Sequence, residues 1–246
     1  MIVRNPPESW FWSHDIEPGY FDDVVTSGTR MQRLSNYGKG DRRRFAAVIF
    51  KERGAERIYL IDIDAAVVEA KIRESDARPI ALAVDADDSG RRRFSLLLEK
   101  GPGPLSSFHI DLDEAGVRKL LDDRSGIADF VTYLGDGVRK YAIIMEERSE
   151  PSCFITGVTA QELNARLAES DVTLLRLRSY MEGGERRFAA VAEQSNVGKG
   201  AWWYTDIDAE TVAKQLDRHN AYPVDLDAMR DERGVRFTVV MYRDKP

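Results

Sequence analysis

A single cysteine, Cys153, stands among 246 residues, so the chain closes no internal disulfide and offers a metal no thiolate cluster. The redox compartment therefore stays open. Histidine is nearly as scarce: His14, His109 and His219 fall at unrelated positions, and none has the ligand spacing of a metal site. No run approaches the roughly 18 consecutive apolar residues of a membrane span. The opening MIVRNPPESWFWSHD lacks a charged segment followed by an apolar one, so neither membrane insertion nor an export address is expected, and the compartment is left undetermined. Basic residues are outnumbered, 36 Lys and Arg against 42 Asp and Glu, and a net charge of -6 argues against a nucleic-acid partner. The segments Gly38-Lys-Gly40 and Gly198-Lys-Gly200 miss the phosphate-loop pattern and read as turns. What is present, 43% hydrophobic and 32% charged residues, suits a water-soluble globular core.

The chain repeats itself. A cation, an aromatic ring and a small residue recur as Arg44-Phe45-Ala46, Arg93-Phe94-Ser95, Lys140-Tyr141-Ala142, Arg187-Phe188-Ala189 and Arg236-Phe237-Thr238, with steps of 49, 47, 47 and 49 residues. A second marker, Trp12, Tyr59, Phe108, Phe154 and Trp203, keeps the same order and nearly the same period. Such self-similarity marks an array of supersecondary units. One domain over 1–246 is expected, with repeats at about 8–55, 56–103, 104–150, 151–199 and 200–246.

Each unit reads as β-α-β-β, an α+β class. Asp64, Asp113, Thr159 and Asp208 suit helix N-caps, and Thr159 with Glu162 forms a capping box. The first copy departs from the pattern, with Glu17 and Pro18 at the cap. Gly28, Gly126 and Asn220 read as left-handed terminators. Two strands follow each helix, over Met31–Tyr37, Pro79–Ala86, Ile127–Leu134, Val172–Tyr180 and Pro223–Met229 and then through the cation-aromatic marker, joined by turns holding Gly38 and Gly40, Gly90, Gly135 and Gly137, Gly183 and Gly184, and Gly234. The marker strand, as in Phe45–Phe50, is nearly all apolar and is expected to be covered on both faces.

The chain starts on a strand that leads into a helix and ends on a marker strand. That phase predicts that Trp10–Ser13 completes the sheet of the last unit and closes a pseudo-five-fold, propeller-like ring; the alternative is an open solenoid, whose usual atypical capping repeats are not evident. Small residues at one level, Ala46, Ser95, Ala142, Ala189 and Thr238, suggest crowding near an axis. Arg44, Arg93, Lys140, Arg187 and Arg236 would then gather at one mouth as candidate ligands for an anion or an acidic peptide. The competing reading pairs these cations with Asp15, Asp62, Asp111 and Asp206, whose fourth-copy equivalent is Gly157, and repeated surface charges are more often paired than functional.

The stretch Phe154-Ile-Thr-Gly-Val-Thr-Ala-Gln-Glu-Leu-Asn-Ala-Arg-Leu167, with Leu175-Arg-Leu-Arg-Ser-Tyr180, Gly183-Gly184 and Arg187-Phe-Ala-Ala-Val191, resembles the bacterial tandem repeat domain, a module found beside serine β-lactamase-like hydrolases such as polyglycine hydrolase. The resemblance implies an accessory or recognition role, with the chemistry in a hydrolase half whose Ser-x-x-Lys motif this chain lacks. Cys153 sits in a strand beside Phe154 with no flanking cation, and reads as a buried structural residue. No catalytic residue, metal site or cofactor is expected. The reading is a noncatalytic recognition or scaffold module for a protein or peptide. The alternatives are a carbohydrate-binding ring, which an exposed tryptophan set would favour, and a pentein-like small-molecule hydrolase built on Cys153.

Overall fold

A computed structural model describes residues 6–25, 28–86, 91–121, 124–148, 152–170, 172–194 and 200–243. The turn at Gly90 and the Gly198-Lys199 part of the second Gly-Lys-Gly segment lie outside these residues. Every unit folds as strand, helix, strand, strand. The first runs β1 (Ser9–Ile16), α1 (Phe21–Val24), β2 (Thr29–Tyr37), β3 (Arg44–Lys51), and the second β4 (Arg57–Asp64), α2 (Val68–Glu74), β5 (Arg78–Ala86), β6 (Arg92–Glu99). The third runs β7 (Ser106–Leu112), α3 (Glu114–Leu120), β8 (Ser125–Gly135), β9 (Val138–Glu147), and the fourth β10 (Ser152–Val158), α4 (Ala160–Glu169), β11 (Thr173–Glu182), β12 (Glu185–Glu193). The fifth is β13 (Ala201–Ile207), α5 (Ala209–His219), β14 (Ala221–Asp231), β15 (Gly234–Arg243).

Five three-stranded antiparallel sheets result, each with the marker strand in the middle: β1-β3-β2, β4-β6-β5, β7-β9-β8, β10-β12-β11 and β13-β15-β14. The middle position explains the apolar marker strands, because Phe45, Phe94, Tyr141, Phe188 and Phe237 are all buried. The expectation that the N-terminal strand completes the last repeat is corrected. Ser9–Ser13 pairs with Ala47–Lys51 of its own repeat, and β15 already has β13 and β14 on its two edges. The repeat is in phase from residue 9, and no sheet lacks a strand.

The caps at Asp113, Thr159 and Asp208 form as read: Asp113 Oδ1 accepts from Gly116 N at 2.7 Å, Asp208 Oδ1 from Thr211 N at 2.8 Å, and Thr159 makes the full capping box with Glu162. Asp64 instead accepts from Ala66 N at 2.9 Å in a turn, and α2 starts later, after Val67. Asn220 ends α5 at φ 48, whereas Gly126 lies inside β8, where Ser125 has already turned the chain into a strand.

The outer strands β4, β7, β10 and β13 share one kink. Register shifts between Leu60 and Ile63, His109 and Leu112, Ile155 and Val158, and Tyr204 and Ile207. The bulge holds Asp62, Asp111 and Asp206 at φ 60–61 and Gly157 at φ 71. Only Gly, Asn and Asp enter that left-handed region at modest cost, which is why the fourth copy substitutes glycine for aspartate.

Neighbouring sheets share apolar cores. Phe45, Ala47 and Ile49 pack with Ala81, Ala83 and Leu97 of the second repeat. Ala46 and Val48 pack with Leu226, Phe237, Val239 and Met241 of the fifth. Ala46, Ala142 and Ala189 thus lie in cores shared between sheets, a correction to their expected place near an axis. The reason is that the middle strand is shielded by a partner on either side, and the strands nearest one another are β2, β5, β8, β11 and β14.

Candidate functional site

Where these five inner strands meet, no ladder among the described residues joins one sheet to the next, and their edges would leave buried N–H and C=O groups without partners. Side chains fill the role. Asp129 Oδ2 accepts from Leu82 N at 3.0 Å, Asp225 Oδ2 from Leu177 N at 2.8 Å, and Asp227 Oδ2 from Ser179 N at 3.3 Å. Arg33 donates to Ile80 O at 3.2 Å, Arg176 to Ala128 O at 3.0 Å and Arg178 to Phe130 O at 2.9 Å. Between the fifth and first repeats, Ser35 Oγ accepts from Ala228 N at 2.9 Å and donates to Asp227 Oδ1 at 3.2 Å.

Arg178 is the hub, with Nη2 on Asp129 Oδ1 and Nη1 on Asp225 Oδ2, each at 2.7 Å. Buried charges require such pairing, and these two carboxylates hold the guanidinium pKa above its ordinary value despite burial. Asp227 has hydrogen bonds and no ion pair within 4 Å among the described residues, and burial pushes its carboxyl up to about 6. Beside it, a cavity of about 170 Å³ is lined from all five inner strands, including Ser35, Ala83, Thr132, Arg178 and Met229.

The candidate cations sit elsewhere. Arg44 pairs with Asp15 at 3.5 Å and Glu17 at 3.0 Å, Arg93 with Asp62 at 3.2 Å and Asp64 at 3.3 Å, Arg187 with Glu185 at 2.7 Å and Glu162 at 3.7 Å, and Arg236 with Asp208 at 3.9 Å. Each acid belongs to the cation's own repeat, so the expected gathering at one mouth gives way to local pairing on the side of the outer strand and helix. Lys140 borders a cavity of about 710 Å³ between the second and third repeats, with Asp64, Asp111 and Asp136 around it.

The residue before each cation, which the sequence reading missed, reaches into the following repeat. Arg43 pairs with Asp62 and Asp85, Arg92 with Asp111, and Arg186 with Asp206 at 3.1 Å. The signal was present as paired basic residues in four of the five markers and as aspartate recurring at the bulge. At the junction of the third and fourth repeats the acid is gone: Arg139 stacks over Tyr180 at 4.0 Å and donates to Met181 O at 3.3 Å. Near this junction the hairpin tips carry exposed apolar residues, Leu134 and Val138 on one hairpin and Met181 on the next.

Cys153 is exposed, correcting its buried assignment, because alternation on β10 gives the inward position to Phe154. His109 contacts Ser107 Oγ at 2.9 Å, and His219 contacts Tyr204 OH at 2.6 Å while stacking on Trp202. His14 packs beside Trp12 and Phe237. Among the described residues no three His, Cys, Asp or Glu side chains are grouped to hold a metal, and no helix is long and apolar enough to cross a membrane. No protein-family model matches the chain, and no curated protein matches it in sequence.

Proposed function

We propose that this chain is a noncatalytic recognition module whose five sheets close into a pseudo-five-fold ring and which takes a protein or peptide partner at the hairpin end of its third and fourth repeats. Closure is supported by the shared core and the Ser35 bonds between the fifth and first repeats. The likeness to the bacterial tandem repeat domain points the same way. The observation that carries the binding surface is the trio Leu134, Val138 and Met181, 62%, 56% and 50% exposed at the tips of successive hairpins that Arg139 joins through Met181 O. Apolar side chains grouped at the rim of a β-array mark contact with another chain.

A carbohydrate-binding ring is supported less. Trp202 has one face covered by His219 at 4.2 Å, and Trp203 donates its indole N–H to Asn164 at 3.1 Å. Peptide display against the wild-type domain, with counter-screening on Leu134→Ser/Val138→Ser/Met181→Ser, tests the proposal. Selected peptides should bind the triple variant at least tenfold more weakly while its melting temperature stays within a few degrees of wild type. Equal affinity for both proteins rejects the hairpin surface.

A further inference from the structure

The junction between the third and fourth repeats is a copy of its neighbour with one group removed. Between the second and third repeats, Arg92, Asp111 and Tyr133 form a closed set. Arg92 Nη2 donates to Asp111 Oδ2 at 3.0 Å, the guanidinium lies 5.1 Å over the Tyr133 ring, and Tyr133 OH donates to Asp111 Oδ1 at 3.2 Å while accepting from Asp111 N at 2.9 Å. The corresponding residues one repeat later are Arg139, Gly157 and Tyr180. Arg139 stacks on Tyr180, and Tyr180 OH accepts from Gly157 N at 3.1 Å, so the frame is intact.

The carboxylate alone is missing, and its place is open. A Cβ built on Gly157 meets nothing within 4 Å, and the backbone there, φ 71, is close to the φ 60 of Asp111. The donors that would hold the carboxylate remain. Arg139 makes no ion pair within 4 Å among the described residues, and its Nε is buried without an acceptor. Among the described residues, the acceptor near the Tyr180 hydroxyl proton is Thr156 Oγ1, at 3.5 Å. Arg43 and Arg186 in the other copies each have an aspartate at this point.

We infer that the Arg139–Gly157–Tyr180 notch takes a carboxylate from the bound partner, an Asp or Glu side chain of an acidic peptide, in the place that Asp111 fills from within. The repeat supplies the template: a planar guanidinium and a phenol converge on a carboxylate, an arrangement suited to bidentate pairing. Met181, whose carbonyl Arg139 already touches, and Val138, the residue before Arg139, would receive the apolar residues flanking that acid. This inference rests on the hairpin-end reading above and names the chemistry of its partner.

Two blocked tripeptides, Leu-Glu-Leu and Leu-Gln-Leu, serve as probes, followed through the NMR signals of the Gly157 amide and the Arg139 Nε–H. The Glu peptide should shift both signals saturably, and the Gln peptide should bind at least tenfold more weakly. Gly157→Asp places the carboxylate in the notch. That variant should melt at a higher temperature than wild type and lose the Glu peptide. Equal binding of both peptides, no shift with either, or undiminished binding to Gly157→Asp overturns the inference. If display-selected peptides are lost on the Leu134/Val138/Met181 variant yet retained by Gly157→Asp, the hairpin surface stands and the carboxylate notch falls. If they are lost on Gly157→Asp alone, the notch stands and the apolar hairpin surface falls.

Discussion

Arg178 and Asp227 occupy equivalent positions in successive repeats, yet their environments give opposite consequences. Removing Arg178, as in Arg178→Met, takes the 2.7 Å partner from buried Asp129 and Asp225, leaving Asp129 with Arg176 at 3.9 Å, and should cost about 3–5 kcal/mol in urea unfolding. Adding Asp129→Asn and Asp225→Asn should recover part of that loss. The amide oxygens still accept from Leu82 N and Leu177 N, whereas leucine at those places would strand both donors. Asp227 runs the other way, because its folded pKa of about 6 lies above the unfolded value near 3.9. The folded state then holds the extra proton between those values. Its contribution to stability is fullest below about pH 4 and is lost as the pH rises through about 6. Asp227→Asn should flatten the fall in urea midpoint between pH 4 and pH 7 relative to wild type, and an unchanged slope would reject the assignment. These residues were hard to read from sequence. Charges alternating in Leu175-Arg-Leu-Arg-Ser179 look like a solvated strand face, and only the abutting sheet edges show that they meet backbone groups in the interior.

At the level of elements, local chemistry was the most legible part of the chain. Short polar caps, apolar spacing and marker aromatics placed the starts of α3, α4 and α5 and the strand-helix-strand-strand order of every unit, since each depends on neighbours within a few residues. The capping box at α4 uses both Thr159 and Glu162. Thr159→Ala should therefore destabilise the domain by about 1 kcal/mol, read as a shift in urea midpoint with an unchanged slope. The missed features were those in which one repeat answers another. The phase of the strands made the N-terminal segment look like a missing piece of the last sheet, when pairing of β1 with β3 across the intervening helix and β2 was equally compatible with the pattern. The Arg43, Arg92 and Arg186 bridges likewise depend on a register between sheets that no single unit encodes.

The whole molecule poses the question of closure, and its contacts make the question testable. Ala46 and Val48 share a core with Phe237 and Val239, and Ser35 bonds to Ala228 N and Asp227. Loops between consecutive repeats, from the middle strand of one sheet to the outer strand of the next, take four to seven residues. Residues 244–246 followed by 1–8 would form a longer connection from β15 to β1, so joining residue 246 directly to residue 1 leaves ample chain if the fifth sheet already stands against the first. New ends can be opened at Gly101-Pro102, in the loop between β6 and β7, without cutting any strand. In a closed ring this circular permutant keeps every sheet and every interface, because tolerance of permutation follows from ends that lie close together and from cuts in exposed loops. It should keep the wild-type oligomeric state and melt within a few degrees of the wild type. In an open stack the joined ends would have to span the array, the first and fifth sheets would be torn from their neighbours, and the melting temperature would collapse. Measuring the permutant by sedimentation and calorimetry, beside a linear control cut at the same loop and left unjoined, separates loss of the interface from loss of chain continuity.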